Sequence, residues 1–168
     1  MSKKKILIGV GVAFLLFIML AAAGGSTPKT VDQFISNYNS EIKNTARNDS
    51  IAKSCSLNNV VTNLNGSKMK SFFDDSIAFM TYDHSNSFSV SFNFVKESVS
   101  ADVLFPMIEA AILASGDNPN EVMKNLGVLN GDRYNIPGTY EKKISFNSKE
   151  YSLMSVDEYI IFFIEMSK

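Results

Sequence analysis

The chain has 168 residues, 16 of them Lys or Arg and 17 Asp or Glu, for a net charge of −1. Lys3, Lys4 and Lys5 precede residue 26 and no acid does, so 13 basic residues face 17 acidic ones in the remainder, a balance of −4 with no basic cluster, which excludes a nucleic-acid partner. One cysteine, Cys55, and one histidine, His84, exclude an internal disulfide and a zinc centre built from His and Cys ligands, and no metal or cofactor is implied.

After the three lysines, Ile6 to Gly25 carries no charge and no strongly polar side chain. In hydrocarbon every backbone polar group must pair internally, so such a run is expected as a helix, and about 20 residues cross a ~30 Å core. Ile6, Leu7, Val12, Phe14, Leu15, Leu16, Phe17, Ile18 and Leu20 would face the membrane interior. The lysines favour a cytoplasmic N-terminus and place residues 26 onward outside. Two readings stand: an uncleaved anchor in a bacterial inner or plasma membrane, or a signal peptide cut near Ala21-Ala22-Ala23, which yields a secreted or periplasmic protein. Residues 26–29 read as a linker, and residues 30–168 as one extracytoplasmic domain.

Thr30-Val31-Asp32-Gln33 is a capping-box start, and Val31, Phe34, Ile35, Tyr38 and Ile42 form one apolar helical stripe. The helix should run to Ala46 or Arg47 and break at Asn48-Asp49-Ser50. Residues 51–64 fit a short helix or an irregular strand. From Lys68 the period becomes two. A first strand contains Met69, Ser71 and Phe73, Asp74-Asp75-Ser76 turns, and Ile77 to Asp83 is a second. Past His84, Ser87 to Phe94 alternates Phe88, Val90, Phe92 and Phe94 with Ser89, Ser91 and Asn93, as in a strand with one buried and one wet face.

Ser100 or Asp102 begins a second long helix, with Pro106 in its first turn if Asp102 is the cap. Asn118-Pro119-Asn120-Glu121 opens a short one that Gly127 ends. Residues 128–138 read as a loop, in which Asn130-Gly131-Asp132 and Arg133 form an exposed turn. Three strands close the chain: Thr139–Phe146, Lys149–Ser155 and Tyr159–Met166. The last holds Ile160 to Ile164 unbroken, which suits a central strand or an interaction face. The order α–βββ–αα–βββ predicts an α+β domain, a mainly antiparallel six-stranded sheet with helices on one face. Each half runs helix then three strands, although no sequence period links them.

Chemistry is sparse. His84 sits in a polar turn, and Asp74 and Asp75 are neighbouring carboxylates in another; a hydrolase using either aspartate with His84 would need them to meet. No Gly-x-Ser-x-Gly elbow and no phosphate loop is present. The expectation is a non-enzymatic domain that binds another envelope protein, in an inhibitor-, immunity- or assembly-type role. Tyr159, Ile161, Phe163, Asp132 and Arg133 are the candidate interaction surface.

Thr30 to Phe34, the Phe73-Asp74-Asp75-Ser76-Ile77 turn, Ala110-Ala111-Ile112 and the Asn118-Pro119 to Gly127 helix together resemble small exported bacterial proteins of unknown function. Many of those are lipoproteins with a helix–strands–helices–strands domain, and the likeness extends to β-lactamase-inhibitor-like modules. It spans most of residues 30–166. The lipobox cysteine of such lipoproteins has no counterpart after Ala23, and no functional residue transfers.

Overall fold

The computed structural model describes residues 26–131 and 133–168. The apolar segment 6–25 and Asp132 lie outside the described residues. Among the described residues no helix is long and apolar enough to cross a membrane.

The first helix, α1, is Val31–Thr45. Thr30 Oγ1 accepts the Gln33 backbone N–H at 3.2 Å, as the sequence predicts. The Gln33 side chain, however, accepts the N–H of Lys29 at 2.7 Å, one residue before the cap. Phe34, Ile35, Tyr38 and Ile42 are buried along the expected stripe. Residues 51–64 divide. Asn48 caps a short helix α2, Asp49–Ser54, by accepting the Ile51 N–H at 2.9 Å, so the expected break is also a start. Val61–Thr62 then forms β1.

The main sheet has seven strands, not six, in the order β1-β2-β3-β4-β9-β8-β7. Its members after β1 are β2 (Lys68–Phe72), β3 (Ile77–Asp83), β4 (Ser87–Val95), β7 (Tyr140–Phe146), β8 (Lys149–Val156) and β9 (Tyr159–Ser167). All neighbours are antiparallel. The extra strand, β1, has only two residues, paired with Met69 and Lys68, too few to show a period of two. The segment expected as a loop holds a second small hairpin, β5 (Leu129–Asn130) with β6 (Arg133–Tyr134), turning at Gly131 with φ +61°. Phe73 is not in β2; it opens the hairpin tip, where Phe73, Asp74 and Asp75 have φ of 51°, 51° and 66°.

Helix α3 is Ala101–Ala114, with Ser100 before it. Pro106 therefore falls in the second turn, where it removes the bond that its N–H would make to the Asp102 carbonyl. Asp102 is exposed, so water can take that acceptor. Helix α4, Pro119–Asn125, is capped by Asn118 as expected.

All helices pack on one sheet face. The register explains why. Phe72, Ile77, Phe94 and Ile160 form one cross-strand row, and Phe79, Phe92, Phe162 and Leu153 the next. Thr81, Val90, Ile164 and Tyr151 form a third. These rows meet Phe34, Tyr38 and Ile42 of α1 and Met107, Ile108 and Ala111 of α3 in one core. Tyr38 stacks on Phe92 with ring centroids 5.3 Å apart. The sheet order also pairs the last strands of the two halves, β4 and β9, at the centre. Each half then runs outward, β4-β3-β2 and β9-β8-β7, with its own long helix, α1 or α3.

Candidate functional site

The helix-free face of the sheet is the candidate site. Alternation sends Tyr159, Ile161, Phe163 and Glu165 of β9 to it, together with Ala78, Met80 and Tyr82 of β3 and Ser152 and Met154 of β8. β9 is indeed central, but helices cover only one of its faces. Tyr159 is 49% exposed, Tyr82 42% and Met69 37%, while Ile161, Phe163, Met80 and Met154 are half-buried. These side chains adjoin one another through the register: Met69 faces Met80, and Met154 faces Ile161. The face is apolar without a covering layer.

Its relief comes from β4. That strand shows the open face only Ser87, Ser89, Ser91, Asn93 and Val95. Ser89 and Ser91 are 2% and 5% exposed although no helix covers them, because the larger β3 and β9 side chains rise on both sides. Met80 and Tyr82 on one side and Ile161 and Phe163 on the other thus close over the line of serines. Asn93 Nδ2 donates to Ser91 Oγ at 3.2 Å, and Ser87 Oγ donates to Glu165 at 3.1 Å. Charge gathers toward one corner, where Lys143 pairs with Glu150 near Glu141 and Glu165.

Of the predicted contact residues, Tyr159, Ile161 and Phe163 share this face. Arg133 does not. Its hairpin belongs to the helix side, where Tyr134 stacks on Phe105 of α3 at 4.6 Å and donates to Glu109. Asp132 lies outside the described residues. The expected surface is thus split, because nearness in sequence to an exposed turn says nothing about which layer the turn joins.

The hydrolase residues do not meet. Asp74 and Asp75 occupy the tip before β3, and His84 follows its far end, so a seven-residue strand separates them by more than about 20 Å. All three are exposed. The His84 carbonyl accepts Lys168 Nζ, which also pairs with Asp83 at 2.6 Å. Among the described residues no three His, Cys, Asp or Glu side chains cluster as metal ligands.

Two polar arrangements were not expected. The first is a shallow depression of about 290 Å³ lined by Thr45, Arg47, Asp102, Phe105, Glu109 and Tyr134. Its charges are already paired: Arg47 with Asp102 at 2.7 Å, and Glu109 with the Tyr134 hydroxyl. Partial burial pushes the Glu109 carboxyl up, against the pull of that hydrogen bond. The second is buried under the end of α3. Asp117 accepts from Lys149 Nζ at 2.9 Å, Tyr151 Oη at 2.5 Å and Asn147 Nδ2 at 2.9 Å, and Ser115 Oγ lies 2.6 Å from Tyr151 Oη. Burial, and then the Asp117 carboxylate, hold the Tyr151 phenol far above its usual range. One signal for this network was present: Lys149 is at i−2 and i−4 from Tyr151 and Leu153, hence on the core face, and a buried lysine needs an acid.

Cys55 is fully buried, and Tyr38 Oη donates to its carbonyl at 3.3 Å. It offers no surface thiol for an intermolecular disulfide. No protein-family model matches the chain, and no curated protein and no solved structure matches it either.

Proposed function

We propose that the chain is a non-enzymatic binding domain held on the outer side of a bacterial membrane by residues 6–25, acting through the open face of its sheet. The observation that carries the reading is the uncovered apolar surface of Met80, Tyr82, Tyr159, Ile161 and Phe163 on a sheet whose other face carries the helices. A soluble domain gains nothing in folding stability from leaving such side chains to water, so their natural use is contact. The resemblance to small exported bacterial proteins and to inhibitor-like modules supports the same class, as do the lysines and apolar run at the N-terminus. The bound partner is then another envelope protein, in an inhibitory, immunity or assembly role. Release by cleavage near Ala23 would give the same binding domain in soluble form.

Quantitative capture from envelope fractions tests both parts. A partner held by the wild-type chain and by Arg133→Ser should fall at least about tenfold with Tyr159→Ser combined with Ile161→Ser, as loss of central apolar anchors does. An unchanged partner set in that variant overturns the docking face. An intact N-terminus in the membrane pellet supports the anchor, and a soluble chain starting at Gly24 replaces it with the secreted form.

A further inference from the structure

The two barest apolar side chains of the domain share one hairpin. Among the described residues, Leu64 is fully exposed and Val61 64% exposed, more than any other large apolar side chain. Val61 belongs to β1 and faces Met69 of β2, itself exposed, and Leu64 stands in the turn between the two strands. That turn runs from Asn63 to Ser67 and is closed by the Asn63 N–H, which donates to the Ser67 carbonyl at 2.8 Å. A Cβ built on its Gly66 would meet nothing within 4 Å, so the tip stands clear of the rest of the domain. We infer that this tip seats in a lipid surface, that of the membrane holding residues 6–25, with Leu64 and Val61 in its interfacial layer. The inference rests on the anchored form proposed above.

The fold puts the tip beside the point where the chain would leave that membrane. Lys68, the first residue of β2, pairs with Asp32 in the first turn of α1. Residues 26–30 are all that join Gly25 to α1, and at ~3.4 Å per extended residue that join spans at most about 20 Å. The end of the domain that carries the tip is therefore held near the bilayer surface at whatever tilt the domain takes. One leucine and one valine would not bring a free domain to lipid, since even a single acyl chain gives only marginal binding. A tether changes this, because the encounter becomes intramolecular and only the orientation remains to be chosen. Removing the two side chains from water then favours the seated orientation by about tenfold or more.

The charges agree. Residues 50–73 hold Lys53, Lys68 and Lys70 and none of the 17 Asp and Glu residues of the chain. The two aspartates at this end of the sheet, Asp32 and Asp83, pair with Lys68 and Lys168. The hairpin can thus approach anionic headgroups without repulsion. The other exposed apolar tip, Phe73, lies beyond the far end of β2 beside Asp74 and Asp75, whose carboxylates bar it from lipid. With the β1–β2 turn against the membrane, the strands rise away from it. The open sheet face then stands clear of the lipid, free for an envelope partner.

The chain has no tryptophan, so one placed by mutation reports alone. The full chain is reconstituted in vesicles of phosphatidylcholine and phosphatidylglycerol, with or without bromine on the acyl chains, and folding of each variant is checked by circular dichroism. Asn65→Trp leaves Leu64 and Val61 in place and should be quenched by the brominated lipid, whereas Phe73→Trp should not. Adding Leu64→Asp and Val61→Asp to the first reporter should lower its ratio of seated to free tips about tenfold or more. A reporter at position 65 that the bromine does not reach, quenching that survives both aspartates, or equal quenching at positions 65 and 73 would overturn the inference. Flotation of the vesicles separates this result from the anchor. A chain that floats with an unquenched reporter keeps the anchor and loses the seated tip, and a chain that does not float loses both.

Discussion

Cys55 and Tyr38 couple the stability of the domain to alkaline pH. Burial pushes the Cys55 thiol up to about 11, with Lys70 pulling weakly the other way. Burial and the neighbouring Cys55 also hold the Tyr38 phenol well above its ordinary value. In the unfolded chain a thiol ionises near ~8.5 and a phenol near ~10. Below pH ~8.5 both states keep both protons, and the full contribution is present. Above it the unfolded chain releases the Cys55 proton while the folded chain keeps it, so the unfolded state binds fewer protons and stability falls with rising pH. The decline from Cys55 should total roughly 3 kcal/mol and end as the folded thiol ionises at about 11. Denaturant midpoints measured from pH 7 to 10.5 should show this loss. Cys55→Ala should flatten its first part, and Tyr38→Phe should leave that part in place. A midpoint independent of pH up to 10 in the wild type would contradict the assignment. That Cys55 forms no internal disulfide was legible from its lack of a partner cysteine, and its burial came only with the fold. The link to Tyr38 was not, because α1 and the end of α2 meet only through the fold.

Between elements, the junction of α3 with β8 depends on one buried ion pair. Asp117 and Lys149 have side chains only 2% and 3% exposed, Tyr151 and Asn147 also donate to the Asp117 carboxylate, and Ser115 bonds the Tyr151 hydroxyl. Asp117→Ala leaves the Lys149 ammonium buried without its carboxylate, which should cost about 3–5 kcal/mol in equilibrium unfolding. Asp117→Leu with Lys149→Met removes both charges and should cost less than Asp117→Ala alone; additive losses would show that the two do not act as a pair. This lock is where the sequence was hardest to read. Helix caps at Thr30 and Asn118, and the strand alternation from Ser87 to Phe94, are local signals, and each of these elements formed near its expected bounds, whereas Asn48 was legible only as a break. Asp117 stands between Gly116 and Asn118 with no local pattern to mark it. Its partner lies 32 residues away, a distance across which no periodicity carries information. The two-residue strands β1, β5 and β6 escaped for the opposite reason, since they are too short to have a pattern at all.

At the scale of the molecule, the sheet is two meanders joined at one seam. The α–βββ repetition was visible in the order of elements, but its consequence was not: the terminal strand of each half becomes central, and the first strand of each half becomes peripheral. Only the pairing of β4 with β9 holds the two halves as one sheet. Its nine residue pairs, Ser87↔Ser167 to Val95↔Tyr159, carry Phe88, Val90, Phe92, Ile160, Phe162 and Ile164 into the common core. Opening the seam therefore exposes the apolar side chains of both halves together, at the cost of the whole core, whereas fraying β7 or β1 exposes little. Local opening free energies follow buried apolar contact, rising from near zero at edges to the global value at the centre. Amide hydrogen exchange should accordingly be slowest along β4 and β9, intermediate in β3, β8 and the buried turns of α3, and fastest in β1, β7 and the β5–β6 hairpin. The β4 and β9 amides should exchange only through global unfolding, so their exchange should track the denaturant-derived stability as denaturant is added. Exchange of one half at a lower free energy than the other, with the seam amides opening alongside it, would show two separable units instead. The same hierarchy bears on the open face. Its large side chains stand on β9 and on β3 beside it, so the surface presented to a partner is held by the core beneath it, and little ordering is needed on binding.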